Sequence, residues 1–398
     1  MGVSKVNELK DLIHKLCPNG VEYKKLAGCC VLEKGSTPIQ KATPGEYPLV
    51  VTTEERKSCS TYQFDKPTVC IPLVSSRGHG VASLNRLYYQ DGKFALGNIL
   101  CGVTPVNSDE LSAKFLFYYL NHKKDTLIVP LMRGGANVSL TVDSLKRVNI
   151  PIPPISVQNE IVRIFDKFEA LEFELTGELV ARKKQYEYYQ DKLINEAEGE
   201  KGKLIDILAQ PITDGPHTTP ILYESGVPFV SATAVYNGKV HLEDAKGFIS
   251  KDFDNECAKK YKPRRNDVFM VKSGSTTGKV AIVDFDDDFN IWSPLAAMRT
   301  NDKCFPRYLY HMLQTLTIQA QVQERMSHGS QPNLSMRVLE QFDIVIPPKA
   351  EQLRILETLN GFDKICNDVY SGLPAEIEAR RKQYEYYRDK LLTFKQLR

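Results

Sequence analysis

Apolar residues recur at heptad spacing along two stretches of the 398-residue chain. The first stretch begins after Pro153-Pro154, and the second begins after Pro347-Pro348. Rows of apolar side chains three and four residues apart are typical of a coiled-coil seam. The predicted seam residues are Ile161, Phe165, Phe168, Leu175, Leu179, Tyr186, Leu193, Ile355, Leu359, Phe362, Tyr384 and Leu391. The pattern predicts two long helices that pack on each other. The first, from about Val157 to Asn195, would be roughly 55–60 Å long.

Both stretches end in nearly the same thirteen residues. Residues 181–193 read ARKKQYEYYQDKL, residues 379–391 read ARRKQYEYYRDKL, and eleven of these thirteen positions are identical. Such identity indicates an internal duplication of roughly half the chain. The alternative is that each long helix is an ordinary core helix of a globular domain.

The second copy contains a short insertion. Gln158 and Gln352 match at an offset of 194 residues, whereas the thirteen-residue repeats lie 198 residues apart. The four extra residues fall near Ser-Gly-Leu-Pro at 371–374. Gly and Pro there predict a break in the second helix, with Pro374 in the first turn of the restarted helix, where its missing N–H costs little.

The stretches before each long helix have a mixed pattern of short strands and short helices. Residues 47–53, 68–74, 268–274 and 279–285 combine β-branched and aromatic residues between turn residues, which predicts strands. Residues 111–122 have an apolar-aromatic pattern that predicts a helix. The fold class is therefore α+β. The predicted division is a domain at 1–154, a helix at 155–197, a second domain at 198–348 and a second helix at 349–398, broken near 371–374.

Composition excludes some classes of protein. The formal net charge is only +3, which permits nucleic-acid binding through local patches without requiring it. Nine cysteines without a CxxC pair favour thiols in a reducing cytoplasm over a zinc site or a disulfide framework. No apolar run approaches the length of a membrane span. We therefore expect a cytoplasmic protein without a metal site.

The paired segments and the domains ahead of them resemble a known family. The strand IPIPP leads into the first helix, VIPP leads into the second, and both helices carry QYEYYxDKL. Residues 213–220 (TDGPHTTP), 272–283 (KSGSTTGKVAIV) and 329–335 (GSQPNLS) strengthen the likeness. Together these features resemble the specificity subunit of Type I restriction–modification systems across essentially the whole chain.

The resemblance implies a division of labour. Each globular domain would be a target recognition domain that reads one half of a bipartite DNA sequence. The two helices would pack antiparallel, set the spacing between the half-sites and dock two modification (methyltransferase) subunits. Restriction (translocase) subunits would join in a full complex. Because the domains differ in sequence, the DNA target should be asymmetric. One chain with a tandem repeat would thus imitate a symmetric dimer.

Polar loops in the second domain supply DNA-binding candidates. The segment GSTTGKV at 274–280 is not a phosphate-binding loop, because it has one residue too few between its glycines and Val280 where the motif needs Ser or Thr. Small hydroxyls, glycines and flanking lysines suit DNA phosphates instead, and the alternative is a plain hairpin turn. The candidates in this domain are His217, Thr218, Lys272, Ser273, Ser275, Thr276, Thr277, Lys279, Ser330, Gln331 and Asn333.

The corresponding loops of the first domain supply the rest. Arg77 could bind guanine in a bidentate manner, and Asn or Gln side chains can pair with adenine. Capping of the following short helix is the structural alternative for Asn137, Ser139, Asn333 and Ser335. A solvated loop is the alternative for His217. The first-domain candidates are Ser75, Arg77, His79, Arg133 and Asn137.

The repeated tyrosines are too numerous for one seam. Tyr is favoured in protein interfaces. We therefore expect Tyr188, Tyr189, Tyr386 and Tyr387 to be candidates for the methyltransferase-subunit interface, with Tyr188 and Tyr386 falling clearly off the apolar stripe.

Catalytic motifs of an adenine methyltransferase, a dinucleotide-binding loop, HExxH and GxSxG are all absent from the sequence. We expect no catalytic residues and no cofactor on this chain, whereas the resemblance places S-adenosylmethionine, ATP and Mg²⁺ on partner subunits. The alternative from another class is a non-catalytic coiled-coil adaptor for proteins. The sequence also leaves open an orphan or phase-variable specificity subunit.

Overall fold

The computed structural model of the chain describes residues 13, 15–53, 57–78, 81–82, 84, 86–134, 137–327, 332–367 and 372–397. The chain forms two compact units. The first unit combines residues 1–175 with 377–398, and the second comprises residues 176–376. Each unit therefore contains one globular domain and half of each long helix. The predicted division treated each long helix as a separate segment.

The first globular domain is rich in short strands. They are β1 (Glu22–Lys25), β2 (Cys30–Lys34), β3 (Tyr47–Val50), β4 (Lys57–Cys59), β5 (Thr68–Pro72), β6 (Val74–Gly78), β7 (Val81–Ala82), β8 (Tyr88–Gln90), β9 (Ala95–Leu96), β10 (Leu100–Pro105), β11 (Arg133–Gly134), β12 (Asn137–Ser139) and β13 (Asn149–Ile152). The sheets have the strand orders β1-β13, β2-β10-β5-β8, β4-β3-β9 and β11-β12-β6-β7.

Helices cover the sheets of this domain and lead out of it. They are α1 (Leu26–Cys29), α2 (Ala113–Leu127), α3 (Val142–Lys146) and α4 (Ile155–Asn195), with 3₁₀ turns at Ile39–Lys41 and Val129–Leu131. α2 has the predicted apolar-aromatic face, with Phe115, Leu116 and Leu120 buried. α4 has 41 residues and spans the predicted first helix. Its length is roughly 60 Å.

The second globular domain repeats this plan. Its strands are β14 (Glu200–Lys203), β15 (Thr213–Asp214), β16 (Val227–Val230), β17 (Val235–Tyr236), β18 (Lys239–Val240), β19 (Phe248–Ile249), β20 (Val268–Val271), β21 (Val280–Ile282), β22 (Asn290–Ile291), β23 (Leu295–Met298) and β24 (Asp343–Ile346). Its helices are α5 (Lys251–Ala258), α6 (Pro306–Leu313), α7 (Leu316–Arg325) and α8 (Met336–Glu340), with 3₁₀ turns at Leu204–Ile207, Ala232–Ala234 and Leu242–Asp244.

The sheet topologies of the two domains correspond. The second domain has the strand orders β14-β24, β15-β23-β20-β21-β18-β17 and β19-β16-β22. Each domain pairs its first and last strands antiparallel, at β1-β13 and β14-β24. Each also has a parallel pair at the matching place, β3-β9 and β16-β22, and the second domain has a further parallel pair, β18-β21. The common skeleton predicted from sequence is therefore present.

The second long helix is divided into α9 (Lys349–Asn367) and α10 (Leu373–Leu391). Pro374 lies in the first turn of α10, as predicted, and residues 368–371 lie outside the described residues. With α4, these helices give the fold predicted for the repeat. Half of α4 packs antiparallel to α10 in the first unit, and the other half packs antiparallel to α9 in the second.

The same aromatic contacts occur in both seams. In the first unit, Phe168 lies 5.9 Å from Tyr384 and 6.0 Å from Tyr387 between ring centroids. In the second unit, Phe362 lies 6.3 Å from Tyr186 and 5.4 Å from Tyr189. Phe168 corresponds to Phe362, and the two tyrosine pairs correspond through the thirteen-residue repeat. All predicted seam residues are buried or half-buried.

A buried glutamine ties each long helix to its globular domain. Gln158 accepts a hydrogen bond from the Ser112 backbone N–H and donates to the carbonyls of Glu110 and Pro153. Gln352 accepts from the Phe305 N–H and donates to the carbonyls of Lys303 and Pro347. Three matching bonds fix the entry of each helix. The duplication therefore extends to hydrogen-bond detail.

Candidate nucleic-acid interface

Two predicted loops of the second domain leave the same end of its sheet. β15 and β20 both pair antiparallel with β23, so Asp214 and Val271 end their strands beside the start of β23 at Leu295 and Ala296. The loop at 215–222 and the loop at 272–279 therefore begin side by side. We call these two loops, together with residues 332–335, the second-domain loop face.

Backbone hydrogen bonds join the third segment to this face. Ser273 and Asn333 form an antiparallel bridge. The Gly274 N–H donates to Pro332 O at 3.0 Å, and the Leu334 N–H donates to Lys272 O at 2.7 Å. The structure thus brings together candidates that are about sixty residues apart in sequence.

The loop at 272–279 is a hairpin connection between the antiparallel strands β20 and β21. This confirms that it is not a phosphate-binding loop of the strand-to-helix kind. Gly274 has a φ of +100°, a conformation that side chains with a Cβ disfavour. Thr277 donates its hydroxyl to Gly274 O, so that hydroxyl stabilises the turn. Ser275 and Lys279 are exposed, and the Ser275 and Thr276 N–H groups have no hydrogen-bond acceptor among the described residues.

Lys272 differs from its neighbours in the loop. Its side chain is only 11% exposed, and its ammonium lies 3.3 Å from the Asp214 carboxylate. Asp214 is buried and accepts a 2.5 Å hydrogen bond from Lys260. His217 Nε2 lies 3.1 Å from the same carboxylate, and the imidazole is well exposed, as is Thr218. Asp214 and Lys260 were not predicted from sequence. The Asp in TDGPHTTP was the only signal.

The first domain assembles its candidates on a small sheet. β6 pairs with β12, placing Asn137 opposite Ser76 and Val138 opposite Ser75. β11 pairs with β12, placing Arg133 opposite Ser139. We call the sheet β11-β12-β6-β7 the first-domain loop face. Ser75 and Arg77 lie on its β6 strand, and Arg133 and Asn137 are exposed.

The side chains of four DNA-binding candidates are not described by the structure. His79, Ser330 and Gln331 lie outside the described residues, and for Arg77 only the backbone is described. Arg133 donates to the carbonyls of Pro130 and Met132.

The capping alternative receives little support. The N-cap of α3 is Thr141, whose side chain accepts a hydrogen bond from the Ser144 N–H. Asn137 and Ser139 do not cap this helix. Ser335 stands at the N-cap of α8 without a side-chain hydrogen bond. Asn333 is exposed and is not the cap of that helix.

Backbone contacts align the two loop faces residue by residue. Leu73 N–H donates to Ile99 O and its carbonyl accepts from Leu140; Lys272 N–H donates to Pro294 O and its carbonyl accepts from Leu334. Lys272 is thus the counterpart of Leu73. The faces share a backbone frame but not its side chains.

Two glycines align a second pair of positions. A Cβ on Gly35 would lie 2.1 Å from the carbonyl oxygen of Gly97, and one on Gly215 would lie 1.8 Å from that of Ile291. Both glycines are required by this close approach, and each follows the end of its strand. The residues before them, Lys34 and Asp214, are therefore counterparts.

The tyrosine candidates separate into two pairs. Tyr188 and Tyr386 are 58% and 53% exposed. Tyr387 is buried and Tyr189 is half-buried, because they pack against the seam phenylalanines. Because Tyr189 and Tyr387 pack in the seam, only Tyr188 and Tyr386 remain as candidates for the methyltransferase-subunit interface. Each has a lysine one turn further along its helix, with the Lys192 and Lys390 ammonium groups 5.8 Å and 4.2 Å from the ring centroids.

Metal and thiol chemistry adds no site to these surfaces. One group, His241, Glu243 and Asp244, brings possible ligand atoms within 4.8 Å of one another in the part of the chain that the structure describes. His241 Nδ1 lies 2.9 Å from Glu243, and Tyr236 donates to Asp244, so these atoms partner protein groups. All nine cysteines are free thiols. Within the described ranges, no helix is both long and apolar enough to cross a membrane.

The duplicated domains, their distinct loop faces and the shared helical seams define a tandem-domain protein with two unlike globular domains on matching helices. A sequence model of the Type I restriction modification DNA specificity domain matches residues 18–182 and again 216–379. The chain therefore belongs to the family of Type I restriction–modification specificity subunits, as the resemblance indicated.

Individual relatives and solved structures support the same family. The chain is 32% identical over 305 residues to the specificity subunit of the Type I restriction enzyme EcoR124I/EcoR124II of Escherichia coli, covering 73% of each chain. The S subunit of a Type I system from M. genitalium has the same fold, with a TM-score of 0.55, 16% identity and coverage of 94% and 95%. A chain from a structural study of complex assembly in a type I R-M system has a TM-score of 0.56, 17% identity and coverage of 94% and 98%.

Proposed function

We propose that this chain reads a bipartite, asymmetric DNA sequence, with one half-site for each globular domain. The observation that supports this most strongly is the pair of loop faces. The strands that lead into the two faces have the same backbone frame, yet Leu73 corresponds to Lys272 and Lys34 corresponds to Asp214 at the base of the faces. Equal frames with different side chains suit two domains that read different sequences.

The polar content of the faces suits duplex DNA. In the second domain, exposed Ser275, Lys279 and Asn333 stand beside two backbone N–H groups without acceptors in the described chain. N–H groups, hydroxyls and lysines contact phosphates, while Asn and Arg side chains read base edges. In the first domain, Arg133 and Asn137 provide the second kind of group.

The helices have a separate role in the proposal. Within the repeat, the seam accounts for Tyr186, Tyr189, Tyr384 and Tyr387, but not for the exposed and repeated Tyr188 and Tyr386. A surface that occurs twice in one chain suits two copies of one partner. We assign it to the modification subunits, which would carry S-adenosylmethionine. ATP and Mg²⁺ would belong to the restriction subunits, so this chain would have no catalytic site.

Helix length supports a spacer role. α4 is roughly 60 Å long. Half-sites on successive major-groove faces are separated by one helical turn of about 34–36 Å. A helix of this length is suited to leave unread base pairs between the half-sites.

The test is methylation mapping by single-molecule sequencing in cells that express this chain with a modification subunit shown to assemble with it. The expected result is one bipartite motif with different halves and a methylated adenine in each. Replacing Asn137 and Arg133 should change the half read by the first domain and leave the other half unchanged. An assembled complex that produces no new methylated motif would contradict the proposal and favour a protein adaptor.

A further inference from the structure

A buried carboxylate gathers three basic groups at the second-domain loop face. Asp214 Oδ1 accepts a 2.5 Å hydrogen bond from Lys260. Its Oδ2 lies 3.1 Å from His217 Nε2 and 3.3 Å from Lys272 Nζ, and it accepts no hydrogen bond of good geometry among the described residues. We call these four residues the Asp214 cluster.

The cluster carries more positive than negative charge. Two lysines, Lys260 and Lys272, share the one carboxylate of Asp214. Glu256 borders the same cavity but forms no ion pair with these lysines in the described structure. One carboxylate balances the charge of only one of the two lysines, and the remaining positive charge attracts an anion. An external anion would therefore be bound where these groups reach solvent.

Two of the basic groups do reach solvent. The Lys260 side chain is 55% exposed and the His217 side chain is 73% exposed, whereas Asp214 is fully buried. An ammonium group has three donors, and Asp214 uses one from Lys260. Lys260 therefore keeps donors for a second acceptor while its position is fixed by the first.

The cluster also lies at the correct place. Asp214, Thr218 and Lys260 line a cavity of about 270 Å³ at the start of the loop at 215–222. Lys272 begins the neighbouring loop, whose tip holds the Ser275 and Thr276 N–H groups. The anion expected at a DNA-reading face is a backbone phosphate, because phosphate contacts position a protein on the duplex.

The charged form of Asp214 persists over a wide pH range. Burial alone would raise the pKa of its carboxyl. The hydrogen bond and charge of Lys260, with the charge of Lys272, outweigh burial and hold that pKa below its ordinary value. The Asp214 carboxylate that holds Lys260 is therefore an anion at neutral pH.

We propose that the Asp214 cluster is a DNA phosphate site, in which Lys260 contacts one phosphate of the second-domain half-site and Asp214 is its positioning residue. His217 supplies a second contact to the same phosphate. The inference rests on the proposed DNA-reading function and adds a specific contact to it. The first domain has no such cluster, because Lys34 and Leu73 occupy the equivalent positions.

The experiment combines a protein variant with a modified DNA. The assembled complex with modification subunits is titrated with a duplex that carries the mapped motif, and single phosphates of each half-site are replaced by neutral methylphosphonates. For the unmodified protein, one methylphosphonate in the second-domain half-site should weaken binding about tenfold, the value of a charged hydrogen bond. In Lys260→Ala, the same replacement should have almost no further effect.

Salt dependence gives a second readout. Lys260→Ala should reduce the slope of log K against log salt by about one, for cognate and unrelated duplexes alike. Lys259→Ala is the matched control, because this exposed lysine is adjacent but forms no ion pair with Asp214 among the described contacts. It should retain the methylphosphonate effect. Asp214→Asn should behave like Lys260→Ala if thermal unfolding shows that it remains folded.

The outcomes separate the two proposals. If the unmodified complex binds its motif and Lys260→Ala remains equally sensitive at every phosphate, the phosphate site is wrong and the DNA-reading function stands. If the assembled complex shows no sequence preference at all, the proposed function itself fails.

Discussion

Buried charge distinguishes the two units of this chain. Asp214, Asp254, Asp267 and Lys272 are buried in the second unit, whereas no charged side chain is buried among the described residues of the first. The first domain instead buries five cysteine side chains, at Cys29, Cys30, Cys59, Cys70 and Cys101. The second domain thus fixes its loops by ion pairs, and the first relies more on apolar packing.

The long helices of the two units, unlike the domain interiors, make nearly identical contacts. Phe168 and Phe362 contact equivalent tyrosine pairs, and Gln158 and Gln352 each form the same three hydrogen bonds. Since both halves of the molecule share a frame, these differences locate what changed after duplication. The seam and the helix entries were retained, while the interiors and loop faces of the domains diverged.

The largest expected effect tests the ionic interior of the second domain. Asp254 is buried and accepts hydrogen bonds from Lys251, Lys262 and Asn290. Asp254→Ala should lower the free energy of unfolding by about 3–5 kcal/mol, since it removes three hydrogen bonds to a charged group and leaves the buried Asn290 amide without its acceptor. The fluorescence of Trp292, the single tryptophan, reports this domain during urea unfolding.

The matched control for this variant is Asp252→Ala, an exposed acidic residue in the same helical turn. It should change stability by less than about 0.5 kcal/mol. Burial opposes ionisation of Asp254, but the hydrogen bonds from Lys262 and Lys251 hold its pKa below the ordinary value. Its contribution is therefore present above about pH 4 and lost as pH falls below that. A loss smaller than about 1 kcal/mol for Asp254→Ala would show that the ionic interior is dispensable.

A second effect concerns acid sensitivity at milder pH. His311 is fully buried, with Nδ1 3.2 Å from the Tyr186 hydroxyl. Burial lowers its pKa to about 4, so between about pH 6.5 and pH 4 the unfolded chain binds a proton that the folded chain does not. Stability is therefore greatest above that window and should fall by up to roughly 3 kcal/mol across it.

His311→Gln should flatten this part of the stability profile measured by Trp292 fluorescence. His122 of the first unit, whose pKa burial also lowers to about 4, provides the comparison. His122→Gln should leave the Trp292 profile unchanged and alter hydrogen exchange only in the first unit. Equal flattening by both variants would mean that the two units unfold as one.

A third prediction concerns what the duplication retained. Gln158→Ala and Gln352→Ala each remove three hydrogen bonds and leave the backbone N–H of a half-buried residue without its acceptor. Each should cost about 2 kcal/mol, and the two costs should agree within about 1 kcal/mol. Hydrogen exchange measured separately for each unit gives the values. Gln323→Ala, at an exposed position in α7, is the control, and unequal costs would limit the equivalence to the seam itself.

The sequence was most informative where a pattern repeats over many residues. Heptad spacing predicted the helices and their buried stripe apart from Tyr189 and Tyr387, and the change in offset predicted the division between α9 and α10. Which half of one long helix packs against which half of the other could not be predicted from the heptad pattern. Arg381 donates to Glu172 across 209 residues, and periodicity indicates that a face is buried without naming its partner.

Single side chains in loops were the hardest to predict. Lys272 stands among hydroxyls and glycines and was predicted to contact DNA phosphates, yet Asp214, 58 residues earlier, holds its side chain inside the domain. Tyr189 and Tyr387 were grouped with their exposed neighbours, although the rotation of about 100° between adjacent helical residues places them in the seam. Both cases depend on contacts distant in sequence, which local composition does not record.

The smallest expected change in stability belongs to the exposed part of the repeat, where the two units are most alike. Tyr188→Ala and Tyr386→Ala should each alter the free energy of unfolding by less than about 0.5 kcal/mol, because the rings are largely solvated. If these rings dock the modification subunits, each variant should still weaken assembly at least tenfold, as interface aromatics commonly do. The double variant should abolish assembly at micromolar concentration. Phe173→Ala is the control, because Phe173 is exposed on α4 but has no repeated counterpart. Unchanged assembly in the double variant, measured by analytical ultracentrifugation, would place the partner elsewhere and leave the repeated tyrosines unexplained.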